Sequence, residues 1–338
     1  MVASAEDFGL STKCFTLQSP DGTPLVPFRA GSFIPVHLEM GGTEVAYPYA
    51  LSSSPHEATM GTYRIIVKRG TGGYASSLML DTWKPGDHVT VGAPFEDDAY
   101  SRLDDGDRLV AIAGSVGVVP FHSMAKAIAE GDADFRLTLF YVADTRDELL
   151  YRDEWAQLME RSEGRFKLVP VVAGDEDGCE RAPITLETIE RHASTEDAVF
   201  LVRGPAILVA SMRMVLAPLK LSRRRLRSAF SGDAESRPAG LRDAVHHVAI
   251  RMGGTTQTIP AREDETVLAA LEKAGLQPLA DCRAGICGFC HTTLLSGEFI
   301  LATDEASERR MHDRSSFFHP CCSYPVSDMA IVIRRTQA

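Results

Sequence analysis

The spacing of apolar and polar positions changes rhythm twice along the chain. Up to about Leu103, apolar residues alternate with polar ones in short runs: Ile34 to Leu38, Tyr63 to Lys68 and His88 to Val91. These runs are broken by Gly41-Gly42, Gly72-Gly73 and Pro85-Gly86. Short alternating strands with regular turns predict a small antiparallel β-barrel. Beyond Asp104-Asp105-Gly106-Asp107 the runs become continuously apolar. Leu109 to Ala113, Arg136 to Val142, Phe166 to Val172 and Ala198 to Arg203 predict buried strands. Between them, helical spacing covers Phe121 to Ala129, then Asp147 to Glu160 with Leu149, Leu150, Trp155 and Leu158 on one side, then a stretch through Met212 to Leu219. Strands alternating with helices predict a doubly wound parallel sheet. All periodicity stops over Ser231 to Arg242, which reads as a linker. After it, His246 to Arg251 alternates, Thr255 to Pro260 can pair with it across Gly253-Gly254, and Val267, Leu268 and Leu271 recur at helical spacing until Gly275. The expected division is 1–103, 104–232, a linker at 233–244, and 245–338.

Composition narrows the picture. At 338 residues with 44% hydrophobic content, there is room for two or three domains with proper cores. A net charge of -11 argues against nucleic acid, whose phosphates would repel the chain. No apolar run reaches bilayer length, and Met1-Val2-Ala3-Ser4 followed by Glu6 and Asp7 is no signal peptide, so no membrane association and a cytoplasmic location are expected. Of seven cysteines, Cys14 and Cys179 stand isolated, which argues against a disulfide framework.

The remaining cysteines carry chemistry. Cys282, Cys287, Cys290 and Cys321 have the C-x4-C-x2-C…C spacing that seats a 2Fe-2S cluster, with Gly285 and Gly288 allowing the loop to turn. Structural zinc is the alternative for four thiolates, although zinc favours two Cys-x2-Cys pairs and this chain has one. Cys282-Arg283-Ala284-Gly285, Ser296-Gly297-Glu298, and Cys321 with Tyr324-Pro325 and Ser327-Asp328 resemble plant-type ferredoxins. That resemblance implies a β-grasp fold for the last ninety or so residues. It also selects Cys321 over the adjacent Cys322 as fourth ligand, because the family's last ligand lies four residues before the Tyr-Pro proline.

In the middle segment, an apolar strand runs through Gly114-Ser115-Val116-Gly117-Val118-Val119-Pro120 into a helix, an arrangement that lets backbone N–H groups hold a pyrophosphate. An ordinary tight turn is the plainer reading. Asp144, after the strand ending at Val142, suits a ribose 2′-hydroxyl and would repel a 2′-phosphate, which points to NADH. In the first segment two stretches stand out, Tyr47-Pro48-Tyr49-Ala50-Leu51-Ser52-Ser53-Ser54-Pro55 and Val67-Lys68-Arg69-Gly70-Thr71-Gly72-Gly73-Tyr74-Ala75-Ser76-Ser77. By themselves, Tyr49 reads equally as a barrel-core aromatic and Ser52 to Ser54 as a polar turn.

Taken together the chain resembles the ferredoxin-NADP reductase superfamily over nearly its whole length. The domain order, flavin barrel, nucleotide domain, ferredoxin domain, is that of the reductase components of phthalate dioxygenase and of phenylacetyl-CoA epoxidase. The resemblance puts Tyr49, with Ala50, Leu51 and Ser52, along a flavin. Gly72, Gly73, Ala75 and Ser76 fall at its phosphates, next to the Val67-Lys68 strand end. Gly114, Gly117 and Pro120, with Gly204-Pro205, fall at a nicotinamide nucleotide. Four positions depart from the family: Tyr47 replaces an arginine, Ala50 a serine, Ser115 a glycine and Arg203 a cysteine. Loss of the arginine removes a charge-assisted bond to the flavin phosphate, worth about 1.5–3 kcal/mol. The implied cofactors are the 2Fe-2S cluster, a flavin that is FAD in preference to FMN, and NADH. The implied function is a reductase component passing electrons from NADH through flavin and cluster to a partner oxygenase or reductase, with no catalytic side chain. Ala50, Ser115 and Arg203 keep open an electron-transfer subunit that exchanges electrons only with partner proteins. A redox or iron sensor would need a DNA- or effector-binding module, and none is visible. Arg223-Arg224-Arg225 with Arg227 reads as a solvated helix end, and His122, His246, His247, His291 and His319 carry no assignment.

Overall fold

A computed structural model describes residues 1–9, 11–40, 43–70, 74–95, 106–174, 176–222, 224–230, 241–276, 278, 280, 290–301 and 317–333. The chain falls into two compact units, residues 1–36, 48–68 and 79–231 in one and 37–47, 69–78 and 232–338 in the other. Among the described residues no helix is long and apolar enough to cross a membrane.

The alternating segments at the start form two three-stranded sheets. β1 (Val2–Asp7), β2 (Thr12–Gln18) and β5 (Thr62–Lys68) pair antiparallel in the order β1-β2-β5, while β3 (Phe33–Met40), β4 (Thr43–Ala50) and β6 (Thr90–Val91) run in the order β4-β3-β6. Single bridges Leu51–Ile65 and Phe33–Phe95 continue the pairing past the strand ends, giving the antiparallel barrel. Of His88 to Val91, only Thr90 and Val91 pair. Short helix α1 (Pro55–Thr59) starts with a capping box: Ser54 Oγ accepts from Glu57 N, and Glu57 returns the bond to Ser54 N.

The continuous apolar runs form a six-stranded, wholly parallel sheet in the order β10-β9-β8-β7-β11-β12. Its strands are β7 (Arg108–Gly114), β8 (Arg136–Val142), β9 (Phe166–Val172), β10 (Glu180–Arg181), β11 (Val199–Gly204) and β12 (Leu226–Phe230). Alternate residues of β7 supply opposite faces. Leu109, Ala111 and Ala113 join one core with α3 (Val119–Glu130) and α4 (Arg152–Arg161); Val110 and Ile112 join a second with α5 (Leu186–His192) and α6 (Ala206–Val215).

The fold departs from two expectations. The helix expected from Asp147 begins only at Arg152, because Tyr151 sits at φ +60° and Leu150 is held outside it: its N–H donates to Tyr141 Oη and its carbonyl accepts from Trp155 Nε1. The arginine run is not a helix end either. Arg225 reaches the segment before β11, Nε donating to the Ala198 carbonyl and Nη2 to that of Thr195, and Arg227 lies in β12; Arg223 falls outside the described residues.

In the second unit, β13 (Val245–Met252) and β14 (Thr255–Arg262) form a hairpin in full register from Val245–Arg262 to Met252–Thr255. Both turn residues, Gly253 and Gly254, have positive φ (+57° and +90°), as a two-residue primed turn requires. The sheet continues as β14-β13-β19-β15-β17, with β15 (Thr292–Ser296), β17 (Phe317–Phe318) and β19 (Met329–Val332), and a small pair joins β16 (Phe299–Leu301) to β18 (Ser323–Pro325). Helix α7 (Val267–Lys273) is capped by Thr266 and closed by a Schellman motif: Leu276 N donates to the Leu271 carbonyl and Gly275 N to that of Glu272. Its Val267, Ala270 and Leu271 pack on Val248, Ile250, Ile259 and Ile331, the β-grasp core.

Candidate functional site

The parallel sheet reverses its strand order at β7, since β8 lies on one side of it and β11 on the other. Ligands of such sheets bind at the carboxyl ends of the strands at that reversal. Gly114 ends β7, Gly204 ends β11 and the exposed Asp144 follows the end of β8, so the topology brings these sequence-predicted residues to one edge. At two of the glycines backbone leaves no room for a side chain. A Cβ on Gly117 would lie 2.5 Å from the Arg203 carbonyl oxygen, and one on Gly204, whose φ is +150°, would lie 2.9 Å from Gly114 N. A Cβ on Gly114 would press on the movable Leu208 Cδ2 at 2.8 Å. Pro120 occupies the first turn of α3, which the chain enters through a tight turn over Ser115–Val118, where Val119 N donates to the Val116 carbonyl. The residues fit a dinucleotide.

Two departures have partners. Ser115 adopts φ +52°, the left-handed region that favours glycine, and its Oγ accepts from Lys68 Nζ at 2.7 Å. Arg203, 8% exposed, places its guanidinium 4.9 Å from the Phe33 ring centroid.

The flavin-motif segment is gripped by α3. Ser52, Ser53 and Ser54 are fully buried, so they are no polar surface turn. His122 Nδ1 lies 3.1 Å from the Ser52 carbonyl oxygen, Ser123 Oγ donates to the Ser53 carbonyl at 2.7 Å, and Lys126 pairs with Glu57. On the other flank Ser52 N donates to the Arg64 carbonyl, and Arg64 N to Ser53 Oγ. Leu51 N donates to the Ser32 carbonyl, and Leu51 is itself fully buried. Tyr49 and Ala50 are half-buried at the end of β4 and Tyr47 is buried; Val67 is in the core. Ala75 and Ser76 lie in the first turn of α2 (Tyr74–Thr82), which has no acidic side chain, and Ser76 Oγ accepts from Gly70 N. A helix start without negative charge suits a phosphate. Gly72 and Gly73 lie outside the described residues.

His122 is the residue the sequence did not single out. Its Nε2 lies 3.0 Å from Glu154 Oε2, its ring stacks on Tyr151 at 3.6 Å and it meets Trp155 edge-on. Both ring nitrogens face acceptors. Burial pushes the imidazole down, while Glu154 and the Ser52 carbonyl pull it up. The same hydrogen bond holds the Glu154 carboxyl below its usual range. No local signal could have paired residues 32 positions apart.

In the ferredoxin segment Cys290 and Cys321 are buried with their sulfurs 3.3 Å apart, near enough to serve one iron. The bond to Cys321, opposed by burial and aided by His319, pushes the Cys290 thiol down to about 5, favouring the thiolate that a metal needs. Cys322 Sγ turns away toward the His319 carbonyl at 3.5 Å. Cys282 and Cys287 lie outside the described residues. A soft sulfur pair beside Leu268 and Tyr324 fits an iron-sulfur cluster.

Comparison with known proteins separates the three parts. Residues 1–100 match the oxidoreductase FAD-binding domain, 111–214 the oxidoreductase NAD-binding domain and 250–326 the 2Fe-2S iron-sulfur cluster binding domain. The chain belongs to the ferredoxin-NADP reductase superfamily. It is an oxidoreductase of that superfamily ending in a plant-type 2Fe-2S ferredoxin domain. The carnitine monooxygenase reductase subunit of Escherichia coli (strain K12) is 28% identical over 335 residues, 95% of this chain and 94% of that protein. The ferredoxin reductase component of 3-ketosteroid-9-alpha-monooxygenase from Mycobacterium tuberculosis (strain ATCC 25618 / H37Rv) is 27% identical over 325 residues, covering 91% and 88%. Phthalate dioxygenase reductase, 23% identical, shares the fold with a TM-score of 0.73 over 99% of this chain and 96% of its own.

Proposed function

We propose that this superfamily member is the reductase component of an oxygenase system. It takes electrons from a reduced nicotinamide and hands them singly, through a flavin and a 2Fe-2S cluster, to an oxygenase partner. The observation that carries the reading is that the FAD-binding, NAD-binding and 2Fe-2S domains all occur in one chain. The partner class follows the relatives, which are reductase subunits of monooxygenase systems.

When bound, the flavin converts a two-electron hydride donor into a source of single electrons that the cluster can accept. The chain's residues seat and align. Gly114, Gly117, Pro120, Gly204, Pro205 and Asp144 hold the nicotinamide nucleotide, NADH by the sign of Asp144. Tyr49, Ala50, Leu51 and Ser52 line the flavin, FAD in this reading, with Val67, Lys68, Gly72, Gly73, Ala75 and Ser76 toward its phosphates. Cys282, Cys287, Cys290 and Cys321 hold the cluster. The division 1–103, 104–232, 233–244 and 245–338 and a cytoplasmic location belong to the same reading; a reducing compartment keeps such thiols available.

Anaerobic stopped-flow mixing with NADH tests it. Rapid bleaching of the flavin followed by appearance of the reduced-cluster EPR signal is the expected course. No bleaching at millimolar NADH would leave the carrier that deals only with partner proteins.

A further inference from the structure

His319 sits two residues before Cys321 on extended backbone (φ -107°, ψ 99°). Its carbonyl accepts from Ser323 Oγ at 2.9 Å, from Cys322 N at 3.1 Å and from Cys322 Sγ at 3.5 Å. Those bonds anchor the residue, and the adjacent Pro320 stiffens the turn that leads into Cys321. The ring then meets the sulfur pair: Nδ1 lies 3.7 Å from Cys290 Sγ, within reach of an N–H···S bond. A second histidine, His291, comes directly after Cys290, but its ring stacks on Phe317 at 4.2 Å, with its centroid 6.2 Å from that of His319. One imidazole addresses the sulfur, and the other stacks on Phe317.

We propose that His319, as a positioning residue and not a ligand, donates Nδ1–H to the Cys290 sulfur and thereby raises the potential of the 2Fe-2S cluster. The assignment rests on Cys290 being a cluster ligand. An added electron increases the negative charge on the ligand sulfurs, so a donor aimed at one of them stabilises the reduced form more than the oxidised form. Burial makes that difference count. The consequence is a bias: the equilibrium between flavin and cluster lies further toward the cluster.

The test is an EPR-monitored potentiometric titration of the intact protein at one fixed pH, with iron and sulfide counted in each sample. His319→Leu is expected to shift the flavin-to-cluster electron distribution about tenfold toward the flavin, a midpoint lower by about 59 mV for one electron. His319→Gln, which keeps an N–H donor, is expected to recover part of that shift, and His291→Leu to leave the midpoint in place. Pulsed EPR of the wild-type protein labelled with 15N-histidine is expected to show one coupled histidine nitrogen, which needs no variant to fold. A fully loaded His319→Leu with the wild-type midpoint, or absence of the 15N coupling, overturns the proposal. Absence of iron and sulfide from wild type overturns the cluster reading itself, which the metal count distinguishes.

Discussion

The nucleotide-binding half and the ferredoxin half reach function by opposite routes. In the ferredoxin half the motif is spelled out without alteration, four cysteines at fixed spacing, and the described pair, Cys290 and Cys321, already points both sulfurs at one place. In the nucleotide half two family positions are changed, and at both the fold supplies a partner: Lys68 for Ser115 and Phe33 for Arg203. Metal ligation has no substitute for a sulfur of correct chemistry. Seating a nucleotide depends mainly on backbone shape, which glycines and long-range hydrogen bonds preserve while side chains vary.

That contrast can be broken at its strongest point first. Cys321→Ser is expected to abolish the cluster absorption and reduce electron delivery to a one-electron acceptor by 100-fold or more, while NADH still bleaches the flavin. Cys322→Ala is expected to leave both intact; loss of the cluster absorption in Cys322→Ala would reassign the fourth ligand. On the nucleotide side Gly117→Ala drives a Cβ into the Arg203 carbonyl, where backbone cannot yield, and is expected to cost about 3 kcal/mol in urea unfolding and to weaken NADH binding by calorimetry. Unchanged unfolding would mean that the loop moves freely, contrary to a shape-held site.

His122→Leu removes the links to the Ser52 carbonyl and Glu154, with an expected loss of about 1–3 kcal/mol and a slower flavin-reduction step at undiminished cluster content. Its neighbour sharpens the point through pH. Glu154 is held below the ordinary carboxylate value of about 4.3. Its contribution is therefore complete above that value and is lost as pH falls through the lower, folded one. Glu154→Gln is expected to lower the unfolding midpoint at neutral pH and to flatten that acid limb, the two proteins converging as pH falls. The smallest effect is Ser115→Gly. Relief of a left-handed serine, worth about 1 kcal/mol, offsets the lost Lys68 bond, so the melting temperature is expected to stay within a few degrees.

Much of this organisation was legible in the sequence. Strands Arg136 to Val142 and Phe166 to Val172 fell where apolar continuity put them, and the Gly253-Gly254 turn and Gly275 stop came from local chemistry alone. The proposed cysteine ligands came from spacing, with resemblance choosing Cys321 over Cys322. Illegible were the features made by remote partners. Tyr151 leaves helical geometry where its ring stacks on His122, and Arg225 serves carbonyls 27 and 30 positions away. Ser52 to Ser54 look like surface polarity until α3 covers them. Local spacing carries no record of such distant company.

One helix, α3, begins at the loop proposed for the nicotinamide and along its flank holds Ser52 and Ser53, next to the residues proposed for the flavin. It joins the two proposed seats as a single splint. Its residues Val119 to Ala125 are all buried, so a substitution along it disturbs the packing beneath both seats at once.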